Sequence, residues 1–169
     1  MRNFFCAVIT AIKEADVKKL AIFTILMFLT MSSIAFAHSY KQGDIEIGHI
    51  WTRATAPGMT TAAVYMPLLN TGTKTDELVG ASSDWADKIE IHESTNENNI
   101  ARMKMLDSLT LEPNKPVAMR PGGIHLMVIG LKHQLKEGDM FPLTLQFKNA
   151  GSIKVEAMIE AMGATSGGD

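Results

Sequence analysis

Two histidines and two methionines have the types and the spacing of a site for a soft metal ion. They follow the pattern His-x10-Met-x21-His-x-Met and are His92, Met103, His125 and Met127. Imidazole nitrogens and thioether sulfurs form a neutral ligand set, which suits a soft monovalent ion and leaves the charge of a hard divalent ion uncompensated. The residue types therefore predict a site for Cu(I).

Other metal centres fit this set less well. Zinc prefers thiolate or carboxylate ligands beside histidine, and calcium and magnesium prefer oxygen ligands. The sequence contains a single cysteine, Cys6, so it can form neither an intramolecular disulfide nor a cysteine-based zinc or iron–sulfur site. A blue-copper electron-transfer centre needs a thiolate beside its histidines, and Cys6 lies in the N-terminal leader. We therefore do not expect an electron carrier.

The elements that must position these ligands are short strands. Beyond residue 37, apolar residues alternate with polar ones and no stretch holds a helical stripe for three turns. The expected strands cover residues 45–51, 62–69, 77–82, 88–92, 100–106, 117–119, 124–131, 141–147 and 153–159. This pattern predicts an all-β sandwich, with the last two strands forming a hairpin around Asn149-Ala150-Gly151.

The alternation of side chains along a strand decides which candidate ligands share a face. His125 and Met127 are two residues apart, so both project from the same face of their strand. His92 stands at the end of its predicted strand, and Glu90 shares its face. A histidine at a strand end beside a loop can reach a site at the rim of the sheet.

Most of the 12 methionines need no ligand role. Met105 shares a face with Met103 and is the reserve ligand. Methionine is also common in protein cores, because its flexible thioether fills irregular gaps. We expect packing or surface roles for six others, which are Met59, Met66, Met119, Met140, Met158 and Met162.

Three histidines lie outside the ligand pattern. His49 is interpreted as a structural residue and His133 as a solvated one. His38 would become the N-terminal residue if the leader is removed, and an α-amine together with an imidazole can chelate Cu(II). A second, Cu(II) site at His38 therefore stays open. Trp51 and Trp85 are interpreted most simply as packing residues.

The N-terminal leader differs in character from the rest of the chain. Positive residues precede an uncharged run from Leu20 to Ala37, and Ala35 and Ala37 form the A-x-A pattern of a signal-peptidase site. We expect a signal peptide over residues 1–37, cleavage after Ala37 and a periplasmic protein. The alternative is a retained membrane anchor, since the run approaches the ~20 residues needed to span a bilayer.

The exported part, residues 38–169, is expected to fold as one domain with a short flexible polar tail at the C-terminus. About 125 ordered residues are enough to bury a core without disulfides. Cys6 precedes the apolar run, so it is not placed to accept a lipid at the end of the leader.

The sequence resembles the PCuAC family of periplasmic copper chaperones. The four-ligand pattern matches the family signature without a gap, and further blocks match over nearly the whole chain after the leader. These blocks include WTRA at 51–54, NTG at 70–72, LVGA at 78–81 and PGGIHLM at 121–127. The resemblance implies a cupredoxin-like Greek-key β-sandwich and Cu(I) binding by the four ligands. It also implies delivery of copper, directly or through a partner, to the copper centre of cytochrome c oxidase.

Two features depart from the family pattern. Glu93 follows the first histidine, where some relatives carry methionine. Some relatives also carry a His/Met-rich tail for a second, Cu(II)-type site, whereas here only Met158 and Met162 precede a glycine-rich end. The tail therefore gives no indication of that second site.

Composition and motifs argue against several other function classes. The net charge is −2 and the basic residues are scattered, so there is no electrostatic footprint for a nucleic acid. No nucleophile elbow, phosphate loop or pair of carboxylates indicates catalysis.

We therefore expect a monomeric Cu(I) metallochaperone without enzymatic activity and without a membrane span in the mature protein. One alternative is an exported interaction or adhesion module whose histidines and methionines only pack. Another is a copper-dependent oxidase or reductase, which would need an open coordination position and a redox change. The copper stoichiometry separates the chaperone from the interaction module.

Overall fold

The computed structural model describes residues 39–97 and 100–167. The strands in these ranges are β1 (Tyr40–Gln42), β2 (Ile45–Ile47), β3 (Trp51–Arg53), β4 (Thr61–Asn70), β5 (Asp76–Ser82), β6 (Lys88–Glu97), β7 (Ile100–Leu106), β8 (Leu109–Leu111), β9 (Val117–Met119), β10 (Ile124–Ile129), β11 (Met140–Phe147) and β12 (Gly151–Glu160). No helix in the described part of the chain is long and apolar enough to cross a membrane. The predicted signal peptide and His38 lie outside the described residues.

Within the described residues, seven strands form a closed ring of paired neighbours. Their order is β4, β10, β6, β5, β11, β12 and β3, and β3 pairs again with β4. The neighbours are antiparallel except β12 and β3, which are parallel. The other strands extend this ring, because β2 and β9 pair with β4, β1 pairs with β2, β7 with β6 and β8 with β5. The predicted all-β class is confirmed.

The predicted C-terminal hairpin is present. β11 and β12 pair along the whole of Met140–Phe147. Gly151 begins the second strand with a φ of 79°, a conformation that glycine adopts without steric cost. The turn chemistry of this short segment therefore predicts its structure correctly.

The single strand predicted over residues 45–51 is divided into β2 and β3. The N–H of Gly48 donates to the carbonyl of Pro67 at 3.0 Å, and a Cβ on Gly48 would stand 2.5 Å from the Pro67 side chain. This close approach depends on a residue in another strand, so local alternation does not reveal it. The short strands β1 and β8 are not among the strands predicted from the sequence, whereas the equally short β9 is.

The hydrophobic core lies inside the ring. β6 contributes Ile89 and Ile91, and β10 contributes Leu126 and Val128, all of them buried. Because side chains alternate along a strand, the residues between them project from the opposite, outer face. That outer face carries the candidate site.

The segment after β12 packs against β3. Nε of Arg53 donates to the carbonyl of Ala164 at 2.6 Å, and a Cβ on Gly167 would stand 2.3 Å from the His49 ring. The polar tail predicted from the sequence begins at Ser166, and Gly168 and Asp169 lie outside the described residues. Gly167 has no side chain, so its backbone can approach His49 closely.

Candidate metal site

The candidate ligands lie on the outer face of three adjacent strands, β7, β6 and β10. His92 stands directly opposite His125 in the β6–β10 pairing and directly opposite Met105 in the β6–β7 pairing. Side chains that face each other across antiparallel strands have Cβ atoms about 4.5–5.5 Å apart. The fold therefore brings His125, His92 and Met105 into one row across the sheet, which we call the histidine row.

The two imidazoles stand side by side. Their ring centroids are 6.0 Å apart, and the ring planes meet at 69°. His125 is 5% exposed, and the side chain of His92 is 14% exposed. Surrounding side chains therefore restrict both rings, while His92 stays within reach of solvent.

The turn before β10 orients His125. Its Nδ1 lies 3.0 Å from the carbonyl oxygen of Gly123, and a carbonyl only accepts, so Nδ1 carries the proton. Nε2 of the neutral ring then holds the lone pair that a metal ligand needs. The same carbonyl accepts the N–H of Ser94 at 3.1 Å, so the turn is tied to β6. Gly122 permits this turn with a φ of 76°.

Glu90 orients His92 from two positions earlier on β6. Nε2 of His92 lies 2.9 Å from one carboxylate oxygen of Glu90, and Nζ of Lys88 lies 2.7 Å from the other. The hydrogen bond from Lys88, followed by that from His92, holds the pKa of Glu90 below its usual range. An ionised carboxylate only accepts, so Nε2 of His92 carries the proton.

Nδ1 of His92 is thereby left as the candidate ligand atom. It is buried and has no hydrogen-bond partner among the described residues. A buried polar atom without a partner costs about 1–3 kcal/mol, and a bound metal ion would satisfy it. Metal-binding histidines commonly give their other nitrogen to a carboxylate or a backbone carbonyl. Both arrangements occur in this pair of histidines.

The two predicted methionine ligands lie on either side of the histidine row. Met127 shares the outer face of β10 with His125 and stands opposite Glu90 on β6. Met103 lies one step away from the row along β7, diagonal to His92. Diagonal neighbours are about 7–8 Å apart, which long side chains can span.

The reserve ligand, Met105, is nearer to His92 in register than Met103 is. Both methionines project from β7 and are more than half exposed, 56% for Met105 and 57% for Met103. Their long side chains have room to turn toward the histidines. The geometry therefore makes either one available to a metal ion.

Aromatic side chains border the row beyond β10. The ring centroid of Tyr65 lies 6.3 Å from that of His125, and Trp51 packs on Tyr65 with centroids 4.6 Å apart. Burial raises the pKa of Tyr65, and the charge of Arg53 opposes that rise. The phenol is therefore neutral near neutral pH. Trp51 is buried, as its interpretation as a packing residue predicts.

Sequence reasoning assigned no role to two residues of this site. Glu90 orients His92 through a hydrogen bond. The alternation of side chains along the strand already placed both residues on one face, so this contact could have been predicted. Tyr65 is brought to His125 by strand pairing, which no local pattern shows. In the part of the chain that the structure describes, no group of three or more His, Cys, Asp or Glu residues could hold a metal ion.

Comparison with known proteins identifies the family. A family model described as "Putative lipoprotein LpqE-like" matches residues 45–159. Lxx21020 of Leifsonia xyli subsp. xyli, whose name carries the same lipoprotein description, is 30% identical over 122 residues, which are 71% of this chain and 72% of that protein. The uncharacterised protein RP573 of Rickettsia prowazekii is 34% identical over 101 residues, which are 57% of this chain and 56% of that protein.

Solved structures of PCuAC domains share the fold. The copper-bound PCuAC domain from PmoF2 matches with a TM-score of 0.65 and 31% identity, over 73% of this chain and 98% of that domain. The solution structure of CuI-DR1885 from Deinococcus radiodurans matches with a TM-score of 0.57 and 26% identity, over 76% of this chain and 85% of that protein. The resemblance to PCuAC proteins is thus confirmed. The chain belongs to the LpqE-like family and has the cupredoxin-like β-sandwich fold of PCuAC domains.

Proposed function

We propose that the protein is a Cu(I)-binding metallochaperone with His92, Met103, His125 and Met127 as ligands. The observation that carries this proposal is the pair of neighbouring imidazoles, in which one nitrogen of each ring is held by a hydrogen bond and the other keeps its lone pair. Neutral nitrogen and sulfur donors match Cu(I). The copper-bound PmoF2 domain supports a copper site here, and the Cu(I) form of DR1885 supports that oxidation state.

In this proposal copper is cargo and no reaction is catalysed. Met103 and Met105 project from β7 and are more than half exposed, so the ligands of an acceptor can approach from that side. They would replace the protein's ligands one at a time, and the ion would stay coordinated throughout. We further propose that this copper reaches the copper centre of cytochrome c oxidase, directly or through a partner, as the PCuAC resemblance implies.

The protein is also proposed to be exported to the periplasm. The apolar run that ends at Ala37 supports export, and so does the lipoprotein description of its family and of its Leifsonia relative. Cys6 precedes that run and is not placed to accept a lipid at its end. We propose that the chain is cleaved after Ala37 and that the released protein is a monomer.

A titration with Cu(I) against a colorimetric Cu(I) chelator tests the proposed function. The purified protein is expected to compete for one tightly bound equivalent, and copper X-ray absorption should show both nitrogen and sulfur scattering. A His92→Ala/His125→Ala variant should lose this tight equivalent. His133→Ala, which changes an exposed histidine elsewhere, should keep it. If the unaltered protein does not compete with the chelator, the four residues only pack and the interaction module is the better interpretation.

A further inference from the structure

A groove beside the histidine row is lined by three methionines. Its volume is about 390 Å³, and its wall includes Met59, Met127 and Met162 together with Arg53 and Tyr65. We call it the methionine groove. Met59 precedes β4, Met127 belongs to β10 and Met162 follows β12, so three distant parts of the chain supply thioethers to one concave surface.

Two of these methionines are exposed, unlike the methionines of the core. Met59 is 47% and Met162 is 56% exposed, whereas Met66 and Met119 are 0% and 3% exposed. Keeping apolar surface in water costs free energy, and burial in a core does not account for Met59 and Met162. A role as soft ligands does account for them, because their sulfur atoms must be reachable.

The backbone that carries both exposed methionines is anchored. Nε of Arg53 donates to the carbonyl of Ala164 at 2.6 Å, which holds the segment around Met162 against β3. The N–H of Met59 donates to the carbonyl of Ala56 at 3.2 Å, which closes a turn. The groove is therefore a formed feature of the fold.

We propose that the methionine groove binds a second Cu(I) ion through the thioethers of Met59 and Met162, joined by Met127 when the histidine site is empty. Three uncharged sulfur donors suit a soft monovalent ion, and hard divalent ions prefer oxygen ligands. Thioethers carry no proton to displace, so this site does not depend on deprotonation of a ligand.

Arg53 makes the groove site weaker than the histidine site. Its guanidinium carbon stands 6.0 Å from the ring centroid of Trp51 and 5.9 Å from that of Tyr65, within the groove wall. A fixed positive charge repels any cation that binds nearby, and it repels a divalent ion more than a monovalent one. The groove therefore favours Cu(I) and releases it readily.

Met127 connects the groove to the histidine row. It lines the groove and also shares the outer face of β10 with His125. An ion held by Met127 can exchange its other thioether ligands for imidazoles without leaving the protein. This role as a loading site rests on the proposed function, whereas binding of an ion in the groove does not.

The experiment uses Ag(I), which has the charge and the sulfur preference of Cu(I) and is not oxidised in air. Protein labelled with ¹³C at its methionine methyl groups is titrated in the His92→Ala/His125→Ala background, where the histidine site is absent. The methyl signals of Met59, Met127 and Met162 should shift together and saturate near one equivalent. Signals from Met140 and Met158, which pair on β11 and β12, should stay in place.

A second measurement compares Cu(I) capacity between leucine variants that keep the side-chain size. Met59→Leu/Met162→Leu should retain the tight equivalent and lose the weaker one, and Met140→Leu/Met158→Leu should retain both. The proposal is overturned if the Met59 and Met162 signals stay fixed in excess Ag(I), or if Met59→Leu/Met162→Leu has the capacity of the unaltered protein. Loss of the tightly bound Cu(I) equivalent in the His92→Ala/His125→Ala variant tests the proposed function separately.

Discussion

On the inner face of β6 and β10, Ile91 and Leu126 are 3% and 0% exposed and belong to the core. On the outer face of the same two strands, the adjacent residues His92 and His125 stand opposite each other in the pairing. A slip of one residue in this pairing would move the apolar side chains out and the histidines in. The core therefore fixes the register, and the register places the histidines.

The largest effect is expected from a change on the inner face. Leu126→Ala removes a fully buried side chain and should lower the free energy of unfolding by about 2–5 kcal/mol. Denaturant unfolding measures this loss. The molecules that remain folded should keep their Cu(I) affinity within a few-fold. A loss of stability below about 1 kcal/mol would contradict the claim that the inner face stabilises the fold while the outer face carries the site.

A change on the outer face should have the opposite profile. His125→Ala removes a proposed ligand and should weaken Cu(I) binding more than tenfold, which is about 1.4 kcal/mol or more. Met127→Ala should act in the same direction. The stability loss of His125→Ala should be smaller than that of Leu126→Ala, and His133→Ala serves as the matched control. If the Cu(I) affinities of these variants are within twofold of the unaltered protein, His125 and Met127 are not ligands.

The orienting carboxylate should matter less than a ligand. Glu90→Leu removes the acceptor that holds Nε2 of His92, and roughly tenfold weaker Cu(I) binding is expected, at the low end of what such residues contribute. Glu90→Gln keeps a hydrogen-bond acceptor and should restore most of the affinity. Equal losses in the two variants would show that charge, and not orientation, is what Glu90 supplies.

The two methionines on β7 are expected to substitute for each other. Met103→Leu and Met105→Leu should each weaken Cu(I) binding only a few-fold, because the partner thioether is on the same exposed face. The double variant should lose at least tenfold, about 1.4 kcal/mol. Chelator competition on all three variants measures this. If one single variant equals the double variant, that methionine is the sole ligand from β7.

The smallest effect is expected at a carboxylate remote from both faces. Hydrogen bonds from Lys148 and then from Ser108 lower the pKa of Glu77 below its ordinary value of 4.5. The stabilisation it gives is therefore complete above pH 4.5 and is lost as the pH falls through the lowered pKa. Glu77→Gln should lower Tm slightly at pH 7, with unchanged Cu(I) affinity, and the Tm difference should shrink as the pH falls through the lowered pKa of Glu77. A Tm difference that grows on acidification below pH 4.5 would contradict this.

Local patterns predicted the parts of the molecule that depend on neighbours in sequence. The turn at Asn149-Ala150-Gly151 and the shared face of His125 and Met127 both follow from residues a few positions apart. The contact of Gly48 with Pro67 does not, because it depends on how two strands approach each other. These positions explain why the hairpin was predicted and the break between β2 and β3 was not.

The same limit applies to the candidate site. The spacing of histidines and methionines indicated the candidate ligands. The direct opposition of His92 and Met105 depends on the register between β6 and β7. The methionine groove depends on three segments that only the closed ring brings together. Alternation can assign a residue to a face, and it cannot say which residue on another strand that face will meet.

The parallel pairing of β3 with β12 has a consequence for how the molecule is made. It joins Trp51–Arg53 to residues more than a hundred positions later in the chain, and such contacts form slowly because a long loop must first be closed. Until β12 has been synthesised, β3 and β11 each present an unpaired strand edge. Such edges can pair with strands of other chains. An unfinished or C-terminally clipped chain is therefore expected to aggregate, so nascent molecules need protection until the last strand arrives.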